Sequence, residues 1–249
     1  MHLKKVEFAD DSQIKSIKNS AFENTSLISL SIPSSVIELQ SDWCAKNKFL
    51  NDIKITQAKE KNIFYYDNKF IIGKSDPKSD VFDVLIFARR NIEKVLIPSF
   101  IKIIAPNTFN NCLKLTKVEF ESNSNLETIG KHAFSNTSIV QISIPPSCNK
   151  IDNYSFSNCH QLRNFEILNV NESIVICDLC FFNSSLNSLT IPSIGIYAFF
   201  NCKFLKNVEF EKNSKLITIG SYSFADSAVE QILIPSNVAY IEMNAFFNC

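Results

Sequence analysis

Neither sign of charge is in excess in this chain: 25 basic residues balance 25 acidic ones, so the formal net charge is zero. A polyanion-binding protein carries a basic patch or stripe, so nucleic acid is a poor partner for this sequence. No segment approaches the roughly 18 to 20 continuous apolar residues of a membrane helix. The N-terminus, MHLKKVEFADD, has two lysines but runs into acidic residues where a secretion signal would place its apolar stretch. Tryptophan occurs once and glycine four times, against 22 phenylalanines. That imbalance is positional, because the phenylalanines recur at fixed places.

Val118 to Ser147, VEFESNSNLETIGKHAFSNTSIVQISIPPS, aligns without a gap on Val208 to Asn237, VEFEKNSKLITIGSYSFADSAVEQILIPSN, at an offset of 90 residues. Val6 to Ser35 is a third copy, offset by 112 from the first. Each copy holds two shorter units. Their first apolar residues are Leu3, Leu27, Leu50, Ile92, Leu115, Ile139, Leu162, Leu186, Leu205 and Val229, and the steps after Ile92 are 23, 24, 23, 24, 19 and 24. The step of 19 belongs to a contracted unit, IPSIGIYAFFNC, that has lost the loop between Pro192 and Ile194. Such self-similarity is the signature of a solenoid, and about ten units are present.

The physics of one unit is readable. Val118 and Phe120, or Ile142 and Ile144, alternate with polar residues, the period of a short strand with one buried face. Pro33, Pro98, Pro145, Pro192 and Pro235 follow such strands, where a missing N–H ends pairing. An isoleucine stands five residues before the repeat phenylalanine, as in Ile17/Phe22, Ile104/Phe109, Ile129/Phe134, Ile151/Phe156 and Ile241/Phe246. This predicts a stacked aromatic spine, with a short helical turn around residues 131–136 carrying Phe134 inward. One unit cannot bury its own core, but stacked units can, with strands about 4.8 Å apart. Trp43-Cys44 fills the Ala-Phe place of its unit, a degenerate repeat whose tryptophan partly covers the core.

The combination L-x-x-I-x-I-P followed by I-G-x-x-A-F-x-x-C resembles the BspA-like, or TpLRR, subclass of leucine-rich repeats. Ile139 to Cys159, IVQISIPPSCNKIDNYSFSNC, and Val229 to Cys249, VEQILIPSNVAYIEMNAFFNC, carry the resemblance most fully. It covers nearly the whole chain outside Thr56 to Val81, although Pro or Glu follows the strand where other leucine-rich repeats have Asn or Cys. The resemblance implies an α/β leucine-rich-repeat solenoid, with a parallel strand ladder on one face and short helical turns and loops on the other. It also implies a cell-surface or secreted antigen or adhesin that attaches to host cells or extracellular-matrix proteins. Since no signal peptide or membrane segment is visible, an intracellular protein-interaction scaffold is the alternative.

Residues 1–55 form an N-terminal repeat block and 92–249 a C-terminal one, within one continuous solenoid. Between them, 56–91 departs from the repeat. Ile63 to Ala88 reads as strand, Asp-Asn turn, strand, polar loop and strand. It is either a binding loop or, as the preferred reading, an interruption that joins the blocks.

Chemical motifs reduce to structure. Cys177-Asp-Leu-Cys180 lacks the second pair that zinc needs, and in repeat register its cysteines fill the places of Gly130 and Ala133. Cys112, Cys159, Cys202 and Cys249 alternate with Thr137, Ser184 and Ser227 three residues after the phenylalanine. Two coils apart, at about 10 Å, they are too distant to bridge. Asn68 to Ser75, NKFIIGKS, resembles a phosphate loop but has Asn where the first glycine belongs and no helix after it. His132 and His160 sit beside the repeat phenylalanine on the outer side, and His2 is terminal. Five N-x-S/T sequons start at Asn24, Asn136, Asn153, Asn171 and Asn183. With 27 asparagines in the chain, about four would arise by chance. No nucleophile and base can be assembled, so the sequence predicts binding without catalysis and without a cofactor or metal.

The outward residues of the stacked strands form the candidate binding ladder: Lys117, Glu119, Gln141, Ser143, Asn164, Glu166, Ser188, Thr190, Asn207, Glu209 and Gln231. It is polar, mixed in sign and roughly 50 Å long over ten coils. Such a surface suits a protein ligand better than a small molecule, which favours a concave apolar pocket. Both ends of the chain read as interior repeats, from a strand at Leu3 to Phe246-Phe247-Asn248-Cys249. End-to-end self-association is therefore expected.

Overall fold

The computed structural model describes residues 3–56, 62–168, 174–191, 194–210, 214 and 216–249. His2, Asn171, Pro192 and the stretch 57–61 of the 56–91 interruption fall outside these. The chain winds as a solenoid in which each coil contributes a strand to one parallel ladder, then a two-residue strand to a second ladder, then a tight turn segment.

The first ladder is longest in the C-terminal block. Its seven parallel strands are Lys94–Ile97, Lys117–Phe120, Gln141–Ile144, Asn164–Ile167, Ser188–Ile191, Asn207–Phe210 and Gln231–Ile232, neighbours in that order. Alternation decides which side is buried: Val95, Ile97, Val118, Ile142, Ile144, Phe165, Leu189 and Val208 point into the core, and the residues between them face solvent. In the N-terminal block the corresponding sheet holds Lys5–Val6, Ser29–Ile32 and Asp52–Ile55. The prolines stop strands as expected at Pro33, Pro98 and Pro145, and their carbonyls accept from Val36, Ile101 and Cys148 three residues on.

The expected helical turns are absent: among the described residues there is no helix, and the α component of the expected fold is corrected accordingly. Residues 131–136 show why. His132 and Asn136 adopt positive φ, 55° and 57°, and left-handed residues every four positions cannot continue a right-handed helix. The amides of Ala133 and Ser135 bond back three residues, to Gly130 and His132. Those of His132, Phe134 and Asn136 cross to Asn153, Ser155 and Ser157 of the next coil, at 3.1, 2.8 and 2.9 Å. Half the turn is thus held by its neighbour. Packing is close at the start of this turn, where a Cβ on Gly130 would lie 2.8 Å from the Ile104 carbonyl oxygen and the Pro106 nitrogen. Only glycine fits there without moving backbone.

The aromatic spine is present. Phe109, Phe134, Phe156, Phe181, Phe199, Phe224 and Phe246 stack in order, with centroids 4.9, 5.3, 5.5, 5.3, 5.3 and 5.4 Å apart and planes within 10°. Each of the first six is fully buried, which contributes roughly 1.5–3 kcal/mol per ring by area. The N-terminal block has no such stack, because Cys44 takes the phenylalanine's place beside Phe22. Trp43 does more than cover the core: it is 2% exposed and packs between Phe22 and Phe87, at 6.2 and 5.3 Å.

The interruption is a three-stranded antiparallel meander, Ile63–Tyr66, Phe70–Gly73 and Val84–Ala88. Asp67 and Asn68, both at φ 50°, make its first turn with the paired left-handed residues of a tight hairpin. Val84–Ala88 then pairs in parallel with Ile103–Ile104, so the meander extends the second ladder, which continues through Thr128–Ile129, Lys150–Ile151 and Val175–Ile176. All four residues of Phe70–Gly73 are buried. Phe70 and Ile72 enter the C-terminal core and Ile71 the N-terminal one, so this strand is a wall between two hydrophobic cores. A register shift at Ile71/Ile72 lets Phe87 face one core and Leu85 and Ala88 the other.

Arg90 stitches the blocks across that wall. It is 3% exposed, and because a guanidinium keeps its charge, it must find acceptors. Its Nε donates to the Asn47 carbonyl at 3.2 Å, and Nη1 to the carbonyls of Thr108 and Ala88 at 2.7 and 3.0 Å. The Phe87 ring lies 4.2 Å below it. Nearby, Asn107 Nδ2 donates to Asp42 Oδ1 at 2.5 Å.

Candidate functional site

The register of the first ladder sorts the candidate residues into two rows. Lys117, Gln141, Asn164, Ser188, Asn207 and Gln231 stand opposite one another from strand to strand, and Lys94 precedes them. Two residues along each strand runs the second row. There Leu96 faces Glu119, Ser143 faces Glu166 and Thr190 faces Glu209. The structure therefore brings all eleven onto one sheet face, ten with their side chains exposed, and Thr190 is placed by its backbone register. Lys94 and the 54%-exposed Leu96 extend both rows by one strand, although the sequence reading began only at Lys117.

Interactions along the rows are few and solvent-exposed. Lys117 Nζ meets Glu119 Oε1 at 2.8 Å, and Ser143 Oγ donates to Glu166 Oε2 at 3.2 Å. Exposed pairs of this kind add at most about 1 kcal/mol, so little holds these side chains to one another. In the second row Glu119, Glu166 and Glu209 alternate with the hydroxyl residues Ser143 and Thr190, placing a carboxylate every second coil, about 10 Å apart. Two depressions mark the face. One, of about 540 Å³, lies among Lys117, Glu119, Gln141 and Ser143 and reaches Glu121 and Leu168. A smaller one of about 170 Å³ lies between Asn164, Ser188 and Glu209.

The cysteines present no reactive group to this face. All eight are free. Burial pushes the thiols of Cys159 and Cys202 up to about 11, although Thr137 and Ser184 hydroxyls lie at 3.4 and 3.5 Å. The Cys159 and Cys202 sulfurs point at the Phe134 and Phe181 carbonyls, at 3.2 and 3.1 Å. Cys180 is buried, its thiol also pushed up by burial, and Cys177 is half-buried. The Gly-Lys-Ser sequence is likewise occupied by structure: Gly73 ends a strand, and Ser75 gives its N–H and hydroxyl to Asp83 at 2.8 and 2.7 Å. Among the described residues, no group of three or more His, Cys, Asp or Glu side chains is placed to hold a metal ion.

Sequence reasoning missed a ladder of asparagine side chains on the turn face. Asn24, Asn111, Asn136, Asn158, Asn183, Asn201 and Asn248 all adopt positive φ two residues after the phenylalanine place. Their amides link coil to coil: Asn136 to Asn111 at 2.5 Å, Asn183 to Asn158 at 2.9 Å and Asn201 to Asn183 at 2.9 Å. The signal was available, since asparagine tolerates the left-handed region better than most residues. His132, placed on the outer side, is half-buried and stacks on Tyr154 at 4.7 Å.

Comparison with known proteins places this geometry. The family model described as "BspA type Leucine rich repeat region" matches six copies, over residues 1–70, 83–193 and 174–249. No curated protein matches the chain. Among solved structures, a leucine-rich repeat protein from Eubacterium ventriosum superposes with a TM-score of 0.76 at 22% identity, over 94% of this chain and 62% of that one. A leucine-rich repeat protein from Bacteroides ovatus gives 0.51 at 21% identity, over 92% of this chain and 49% of that one. The chain thus spans less than two thirds of either protein, and at these identities the likeness is one of fold.

Proposed function

Because the chain belongs to the BspA-type leucine-rich-repeat family, we propose that it is a non-enzymatic binding protein. Its strand face contacts another protein, as a cell-surface or secreted adhesin would contact a host-cell or extracellular-matrix protein. The observation that carries this reading is the seven-stranded face itself. It holds two registered rows of mostly polar residues, ten of the eleven candidates with exposed side chains, and no other part of the described chain packs over those ten. A long face of mixed charge selects a partner by complementarity spread over many contacts. Three carboxylates at about 10 Å intervals favour a partner surface that carries basic groups.

Binding of the purified chain to immobilised matrix proteins and to host cells tests the reading, using wild type and the triple variant E119K/E166K/E209K. At least a tenfold loss in the variant is expected. Equal binding by both proteins, or binding by neither, removes the strand face from the proposal.

One observation favours the intracellular scaffold as a second reading: eight free cysteines fit a reducing compartment better than an oxidising one. Labelling intact cells with a membrane-impermeant reagent separates the two, since only a surface protein is labelled.

A further inference from the structure

We propose that the groove on the turn face, where the two repeat blocks meet, is a binding site for a neutral saccharide. The groove encloses about 440 Å³ and is lined by Lys46, five asparagines, Ser135 and two histidines. Every lining residue is polar. Pockets for drug-like ligands are mostly apolar with a few polar groups, whereas a ligand made of hydroxyl groups needs both donors and acceptors, which side-chain amides supply together.

The amides are built in. Asn110 and Asn111 are each 6% exposed, and a relay runs from Asn136 Nδ2 to Asn111 Oδ1 and from Asn111 Nδ2 to Asn110 Oδ1, both at 2.5 Å. That relay fixes the Asn110 amide with its NH₂ as the terminal donor, and leaves the Asn136 carbonyl oxygen as an acceptor at the other end. Charge is answered locally. Lys46 pairs with Glu23 at 2.8 Å, and Asp42 takes the Asn107 amide at 2.5 Å. Burial and the adjacent Lys131 hold the His132 imidazole below its ordinary pKa, so it is neutral near pH 7. With Lys46 paired and the Asp42 carboxylate standing beside the groove, an uncharged ligand fits better than an anion.

His132 supplies a ring for the apolar face of a pyranose. Tyr154 covers one side of the imidazole, at 4.7 Å and 22°, while the coil on the other side carries Asn107 at the matching place. The groove is local to this part of the solenoid. At the place of Asn110 later coils carry Phe182 and Phe200, which stack on each other at 5.8 Å and fill the space.

A glycan array probed with the purified 249-residue chain tests the site, with glucose-, galactose-, mannose- and fucose-terminated neutral oligosaccharides beside sialylated and sulfated ones. Binding to neutral members is expected, weakened at least tenfold by N110L, which would fill the groove with an apolar side chain. His160 is exposed, so H160A carries little folding cost and should weaken binding at least threefold. The strand-face variant E166Q should bind glycans as wild type does, so the two faces are tested separately. No neutral glycan bound, preference for acidic members alone, or wild-type affinity in H160A would overturn the proposal.

Discussion

The two repeat blocks obey one winding rule but fill their cores differently. In the C-terminal block seven rings stack in parallel behind the strand face, whereas in the N-terminal core Trp43 meets Phe22 edge-on and Phe87 of the meander tilted. A regular stack needs the same residue at the same place in successive coils. The column ends at Phe109, which meets Phe70 of the wall edge-on at 6.2 Å, and in the smaller core, where Cys44 replaces phenylalanine, a tryptophan from the adjoining alanine place fills the space. The repeat therefore specifies the backbone path more strictly than the core's contents, and the Phe70–Gly73 wall allows each block its own packing.

The largest effect that sharpens this comparison is a spine deletion. Phe156→Ala, in the middle of the stack, should cost about 3–5 kcal/mol. Phe22→Ala, half-buried at the edge of the smaller core, should cost less than half as much. Chemical denaturation followed by circular dichroism measures both, and equal losses would mean that the stack adds nothing beyond ordinary burial.

Arg90→Ala should come next, at about 2–4 kcal/mol, because it removes the buried donor of the Asn47 carbonyl and leaves the Thr108 carbonyl with the Ala88 amide alone. The loss should appear as two unfolding transitions where wild type has one, since this side chain ties the blocks together. A single shifted transition would assign the coupling to the wall alone.

Alkaline pH should weaken both blocks, since burial pushes the Cys44 thiol of the N-terminal block up to about 12 and raises the buried thiols of the C-terminal block as well. The thiols of Cys159 and Cys202 are raised from 9 to about 11 in the folded chain, so between those values the native state holds protons that the unfolded chain has lost. Stability is fully present below pH 9 and falls as pH rises toward 11. C159S/C202S should flatten that slope in denaturation measured from pH 8 to 11, and an unchanged slope would exclude these thiols as its source. The smallest effect belongs to the turn face: Asn158→Ala, at φ 56°, should cost about 1 kcal/mol in the same denaturation assay, and Asn158→Gly less.

What could be read in advance follows from which interactions are local. Strand rows such as Lys117/Glu119 and Asn164/Glu166 were legible because alternation within four residues fixes the exposed side. The spine was legible because one ring recurs at one place. The turn was misread because I-G-x-x-A-F has the spacing of a helical turn, and the amides that prevent one bond to the next coil, about 22 residues away. The wall was not legible at all: Phe70-Ile71-Ile72 is a short apolar run, and nothing within it says that alternate residues enter different cores. Arg90, one more arginine in the sequence, becomes a buried tie only once its distant carbonyls are in place.

The bonds of the turn segment have a mechanical consequence. They run from coil to coil, along the solenoid axis, while the chain itself runs across it. A force that draws the chain out from one end therefore loads only the outermost coil and opens its bonds one after another, as tape peels from a roll. Each released coil of 23 residues would yield roughly 80 Å of extended chain. A molecule held between two surfaces would thus lengthen in even steps at nearly constant load, with a distinct pause where the antiparallel meander and Arg90 must give way together.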